Sequence, residues 1–169
     1  MRLSARSQPF VKSFCYASLS LIALGFEASL FPALGISVGT PFLTAAIISA
    51  LAMKEGINYA SIFGAVFGAL EAFVFGGSAL VYVVFYAAFA FLCARFFGSF
   101  FSGGFFPWAL FTLCGILLHA ALRLFGPVSN WETTAAKILT DGALQNIIWS
   151  AVFSLPIYPI VAWIKRKTE

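Results

Sequence analysis

The chain is organised as long apolar runs separated by short polar breaks. A helix that crosses a bilayer needs about 20 mostly apolar residues, because its backbone polar groups must be satisfied within the segment. The predicted spans are residues 14–34, 41–53, 57–75, 79–94, 105–124 and 144–164. The second run is shorter than the others, so we expect it to be tilted, partly re-entrant or buried by its neighbours. The predicted fold is an all-α membrane protein, a single domain built as a compact bundle of about six transmembrane helices.

The first apolar run could be a cleaved signal peptide or a retained transmembrane helix. The first apolar run follows a basic N-terminus, as in a signal peptide, but Glu27 interrupts it and no clean small-x-small cleavage pattern follows. We interpret it as a retained first helix.

The break before the last run contains Ser129 and Glu132 at capping-box spacing, followed by apolar residues at helical spacing. This favours a short amphipathic helix over 130–141 on the membrane surface, with an ordinary loop as the alternative.

The composition indicates lipid as the main solvent of the surface. The chain is 62% hydrophobic and 9% charged, whereas soluble domains average about 25% charged residues. The net charge of +4 comes from basic residues at chain ends and between apolar runs, without a basic stripe. That distribution indicates membrane topology and gives no support to nucleic-acid binding.

The basic residues also predict the orientation of the bundle. With six spans both termini share one side, and eight of the ten Lys and Arg residues fall there. The other two are Arg123 and Lys137. By the positive-inside rule both termini are predicted to be cytoplasmic, in a multi-pass protein of the inner membrane.

A row of small residues marks the third predicted helix. Its members recur every four residues and are Ala60, Gly64, Gly68, Ala72 and Gly76, with Gly77 directly after them. Small residues allow close helix approach in lipid, so we expect this surface to pack another helix or bind a partner. The alternative is a chance pattern in a chain rich in Gly and Ala.

Polar residues inside the apolar runs gather toward the predicted extracytoplasmic end. They are Glu27, Glu71, His119, Arg123, Asp141, Gln145 and Asn146. Ionisable groups in a membrane usually face the bundle interior, so we hypothesise that Arg123 pairs with Glu71 or Glu27. The alternative for Glu27 and Arg123 is snorkelling to the interface.

No catalytic or metal-binding motif accompanies these residues. The three cysteines, Cys15, Cys93 and Cys114, lack the spacing of a metal or redox site. A proton relay through His119 has no further motif in its favour. We therefore predict no enzyme activity, no cofactor and no metal.

Two stretches carry a resemblance to a known family. Residues 64–97, GAVFGALEAFVFGGSALVYVVFYAAFAFLCARFF, resemble the central part of the rod shape-determining protein MreD family. That family has a Gly-rich helix with an acidic residue, a Gly/Ser turn, and an aromatic helix that ends in basic residues. Residues 143–167, ALQNIIWSAVFSLPIYPIVAWIKRK, resemble its last helix.

The resemblance implies a non-enzymatic membrane scaffold of the bacterial cell-elongation machinery. MreD-like proteins bind MreC, and together they help to control the RodA glycosyltransferase and its partner transpeptidase in peptidoglycan synthesis, coordinated with MreB filaments. The family is also thought to share the fold of the S component of energy-coupling factor transporters. The alternative function is such an S component for a vitamin or metal, with the polar residues lining a ligand pocket. A channel or carrier is less favoured, since no clear inverted repeat is present.

Overall fold

A computed structural model describes residues 8–30, 42–75, 78–100, 104–125 and 144–168. These residues form helices and short turns, and no strand occurs among them. The helices are α1 (Gln8–Gly25), α2 (Leu43–Glu55), α3 (Ile57–Phe75), α4 (Ala79–Phe100), α5 (Phe105–Phe125), α6 (Leu144–Ser154) and α7 (Ile157–Thr168). A π-helical turn, Phe26–Leu30, continues α1. The predicted all-α membrane bundle is confirmed, while the predicted helix over 130–141 lies outside the described residues.

Five helical segments of the described chain are long and apolar enough to cross a membrane. They are Phe10–Ser29, Ile57–Phe75, Ala79–Phe97, Phe105–Leu122 and Asn146–Thr168. Their outward surfaces carry large apolar side chains, and Phe73, for example, is 89% exposed. Such surfaces are unfavourable in water and suit acyl chains. The protein is therefore a multi-pass membrane protein.

The helix α2 lies at the centre of the bundle. It has 13 residues, which span roughly 20 Å, less than the roughly 30 Å hydrocarbon core. Every residue from Leu43 to Ala52 is buried, and α1, α3, α4, α5, α6 and α7 all contact the helix. Of the alternatives open for the second apolar run, burial by its neighbours is the one that the structure shows.

Both ends of the described chain lie at the same end of the bundle. Lys12 Nζ of α1 is 2.5 Å from Glu55 Oε2 at the end of α2, and the Tyr16 hydroxyl donates to Glu55 Oε1 at 2.8 Å. Lys165 Nζ of α7 donates to the carbonyl oxygen of Lys54 at 2.5 Å. We call this end, marked by Lys12, Glu55 and Lys165, the basic end.

The last predicted span was expected to be one helix over 144–164, and the structure divides it. The helices α6 and α7 are separated by a turn at Leu155 and Pro156. Proline lacks an N–H and its ring clashes with the preceding turn, so the helical hydrogen bonds are interrupted there. Pro159 is accommodated because it lies in the first turn of α7, where an N–H has no intrahelical acceptor.

Candidate functional site

The row of small residues on α3 is buried against α4. A Cβ atom at Gly64 would lie 2.6 Å from the carbonyl oxygen of Tyr86, and one at Gly68 would lie 2.5 Å from that of Tyr82. Ala60 and Ala72, which continue the row, are also buried. The two backbones approach so closely that there is no room for any side chain at Gly64 or Gly68. Gly76 and Gly77 lie outside the described residues.

This geometry changes how the row can serve a partner. The helix that packs on it is α4 of the same chain, so another protein would have to displace α4 to bind there. Any contribution of Gly64, Gly68 and Ala72 to partner binding must therefore be indirect, through the position at which they hold α4. The row is a packing surface in the described structure.

Two of the polar residues predicted to gather at the extracytoplasmic end, Glu71 of α3 and His119 of α5, lie together in the structure. Tyr86 of α4 joins them. Glu71 Oε1 lies 3.2 Å from His119 Nε2, and both residues are at most 1% exposed. His119 Nδ1 lies 2.6 Å from the Tyr86 hydroxyl oxygen. We call these three residues the Glu71–His119–Tyr86 cluster. Ionisable groups in a membrane interior are costly unless they are paired, and here three different helices supply the partners.

The two ring nitrogens of His119 face chemically different groups. A neutral imidazole has one N–H donor and one acceptor nitrogen. With the proton on Nε2, Nδ1 accepts from the Tyr86 hydroxyl and the N–H lies beside the Glu71 carboxylate. Aromatic rings surround the imidazole, and the Phe42 ring is closest, with its centroid 4.2 Å from that of His119. The cluster is therefore isolated from bulk solvent and able to hold or exchange a proton within the protein.

Glu27 caps the beginning of α2. It is 1% exposed, and its Oε1 accepts a hydrogen bond from the backbone N–H of Leu43. The backbone N–H of Phe42 donates to Ser150 Oγ of α6 at 2.7 Å. The first amides of a helix have no intrahelical acceptor, so the π-helical turn after α1 and the helix α6 together satisfy the buried start of α2. The snorkelling alternative for Glu27 is wrong, because the side chain points into the protein.

Loss of this cap should loosen the start of α2. We expect Glu27→Ala to lower the free energy of unfolding by about 0.5–2 kcal/mol, the range measured for lost helix caps. Glu27→Gln keeps an acceptor oxygen and should cost less. Amide hydrogen exchange in detergent micelles would measure the effect, with faster exchange expected at Leu43 in Glu27→Ala. Equal protection of Leu43 in the wild type and both variants would contradict the capping role.

The structure describes the remaining predicted polar residues only in part. Asn146 is half-buried at the start of α6, and its carbonyl oxygen accepts from Ser150 Oγ at 2.5 Å. The backbones of Gln145 and Arg123 lie in α6 and α5, but their side chains, and all of Asp141, lie outside the described residues. Pairing of Arg123 with Glu71 or Glu27 therefore stays a prediction.

Two residues of the site were missed in the sequence. Tyr86 and Ser150 both supply hydroxyl groups to the buried network. The available signal was a hydroxyl group inside an apolar span, at the same predicted depth as the ionisable residues. Among the described residues, no group of three or more His, Cys, Asp or Glu side chains is arranged to hold a metal ion.

Comparisons of the chain with protein-family models, curated proteins and solved structures find no match. The similarity to the MreD family therefore depends on the two sequence stretches quoted above. The likeness to an S component likewise remains an implication of that resemblance.

Proposed function

We propose that this protein is a non-enzymatic membrane scaffold of the bacterial cell-elongation machinery, similar to MreD, that binds MreC and through it helps to regulate peptidoglycan synthesis. The observation that carries the proposal is the resemblance over residues 64–97. The features that carry it, a small-residue row, an acidic residue and an aromatic helix, lie on α3 and α4. These two helices pack closely, and Glu71 of α3 is buried.

The proposed mechanism is docking of a partner helix in the membrane. The α3–α4 pair presents apolar side chains outward, including Phe73, Leu80 and Val84. A single transmembrane helix of MreC would meet this surface in lipid, where association depends on shape and packing. The close contact at Gly64 and Gly68 fixes the relative position of the two helices, and so fixes the shape that the partner meets.

The same proposal places the basic end in the cytoplasm and the Glu71–His119–Tyr86 cluster toward the outer face of the inner membrane. Positive residues are retained on the cytoplasmic side. Lys12, Lys54 and Lys165 meet at the basic end. RodA, its partner transpeptidase and MreB would then be reached indirectly, through MreC.

Co-purification with MreC tests the proposal. We expect MreC to be recovered with the affinity-tagged wild-type chain in mild detergent, and also with Gly25→Ala, a helical glycine with nothing within 4 Å of its added Cβ. Gly68→Leu should reduce recovery, because it moves α4. Size-exclusion chromatography of each variant separates lost binding from unfolding. Failure of the wild type to retain MreC would overturn the scaffold proposal, and full recovery with a folded Gly68→Leu protein would overturn docking on α3–α4.

The second candidate is an S component of an energy-coupling factor transporter. The observation that favours it is the buried cluster of Glu71, His119 and Tyr86, drawn from three helices at one end of the bundle. Such a protein would bind a vitamin or metal tightly and co-purify with the energising module of a transporter. A thermal-shift screen of the purified protein with vitamins and divalent metals separates the two functions.

A further inference from the structure

The exposed side of α7 combines an apolar strip with two cations at its end. Ile157, Val161, Ile164 and Thr168 form the buried side of this helix. On the exposed side, Ile160 and Trp163 are followed by Arg166 and Lys167, all solvent- or lipid-facing. Lys167 lies one turn beyond Trp163 and two turns beyond Ile160, so the three share one face.

The tryptophans of α5 and α7 lie in different surroundings. Trp108 is fully buried and donates from Nε1 to the carbonyl oxygen of Ala46. Trp163, by contrast, is 58% exposed. An exposed indole next to cationic residues at the end of a membrane span is typical of the level where acyl chains meet headgroups. Trp163 lies five residues before the end of the apolar segment Asn146–Thr168, which is long enough to cross a membrane.

The other lysines of the basic end are engaged within the protein. Lys12 pairs with Glu55, Lys165 donates to the Lys54 carbonyl, and Lys54 Nζ lies 4.8 Å from the centroid of the Tyr158 ring. Glu55 is the one acidic side chain described at this end, and Lys12 already neutralises it. Arg166 and Lys167 therefore present their charge outward, without an acidic side chain beside them among the described residues.

We propose that this face of α7 binds an anionic phospholipid. The phosphate lies between Arg166 and Lys167, and an acyl chain follows Trp163 and Ile160 toward the membrane interior. Arginine and lysine bind phosphate oxygens through charge-assisted hydrogen bonds, and basic residues next to a membrane span attract anionic lipids. The apolar strip continuous with the cations favours a lipid over a free anion, since inorganic phosphate makes no use of Trp163 or Ile160.

Native mass spectrometry of the full chain in a neutral detergent tests this site. The probes are dioctanoyl phosphatidylglycerol, dioctanoyl phosphatidylcholine with the same acyl chains, and inorganic phosphate. We expect phosphatidylglycerol adducts at lower lipid concentration than phosphatidylcholine adducts. Arg166→Gln and Lys167→Gln should each weaken phosphatidylglycerol binding about fivefold, the size expected for one cation near an anionic surface.

Matched variants separate this site from general charge attraction. Arg95→Gln removes an exposed cation of α4 outside the strip, and should leave phosphatidylglycerol affinity unchanged. Trp163→Ala should weaken binding, whereas Leu92→Ala, at an exposed apolar position on α4, should not. Equal binding of the two lipids, equal losses in Arg95→Gln and Arg166→Gln, or tighter binding of inorganic phosphate than of phosphatidylglycerol would each overturn the proposal.

Discussion

Gly68→Ala is expected to destabilise the folded protein by about 3 kcal/mol, at the upper end of the usual cost of overpacking. The added Cβ would lie 2.5 Å from the carbonyl oxygen and 2.8 Å from the carbonyl carbon of Tyr82. Both are backbone atoms, so the clash is relieved only if α3 and α4 move apart. That movement removes dispersion contacts along the row, which in lipid are a main source of helix association. Equilibrium unfolding in mixed micelles with increasing SDS would measure the loss.

The cost of Gly68→Ala can be compared with the cost of the same substitution at two other glycines, Gly25 and Gly115. At Gly25 nothing lies within 4 Å of an added Cβ, so Gly25→Ala should be neutral or stabilising by up to about 1 kcal/mol through helix propensity. At Gly115 the nearest atom is Cζ of the Phe89 ring at 2.5 Å, and a ring edge can shift more readily than backbone. Gly115→Ala should therefore fall between the other two. If Gly68→Ala were no more destabilising than Gly25→Ala, the close contact of α3 with α4 would not exist in the folded protein.

The row illustrates what a sequence pattern can establish about helix packing. Small residues at every fourth position predict a surface of close approach, and the structure places Gly64 and Gly68 on such a surface. The pattern does not identify the occupant, because any helix with a smooth face satisfies it. The short connection between Phe75 and Ala79 was the available signal, since helices joined by short turns are usually antiparallel neighbours.

For the buried polar residues, too, the sequence predicts the depth in the membrane but not the partner of each side chain. Sequence position predicted that Glu27, Glu71 and His119 lie at one depth, because each is near the same end of an apolar run. Which polar residues meet depends on how each helix is rotated about its own axis. An apolar run does not reveal that rotation, because lipid-facing and buried positions are equally apolar. Charge alone therefore predicts that Arg123 pairs with Glu71 or Glu27. The structure describes His119 beside Glu71, and the Arg123 side chain lies outside the described residues.

The placement of the short helix α2 is decided by tertiary packing, whereas the break at Pro156 is a local effect of proline. A short apolar segment is compatible with several placements, and only the burial of Leu43–Ala52 by the other helices selects one. Proline is tolerated inside transmembrane helices when neighbouring groups satisfy the freed backbone. The sequence of 144–164 therefore does not reveal whether Pro156 bends the helix or divides it.

Glu71→Ala is expected to cost about 1–3 kcal/mol of unfolding free energy, the range for leaving a buried polar group unsatisfied. The loss arises because the substitution removes the carboxylate that lies 3.2 Å from His119 Nε2, where neither water nor lipid can replace it. Glu71→Gln keeps a hydrogen-bonding group of similar size and should cost less. The same SDS unfolding assay would measure both variants.

A double-mutant cycle with His119→Ala isolates the interaction itself. If Glu71 and His119 act as a pair, the double variant should lose less than the sum of the single losses, with a coupling of about 1–3 kcal/mol. Ser61→Ala on the same helix is the matched control, because the Ser61 hydroxyl has no hydrogen-bond partner among the described residues and its removal should be nearly neutral. Additive losses at Glu71 and His119 would mean that the two residues do not interact, and the contact between them would contribute nothing to the stability of the protein.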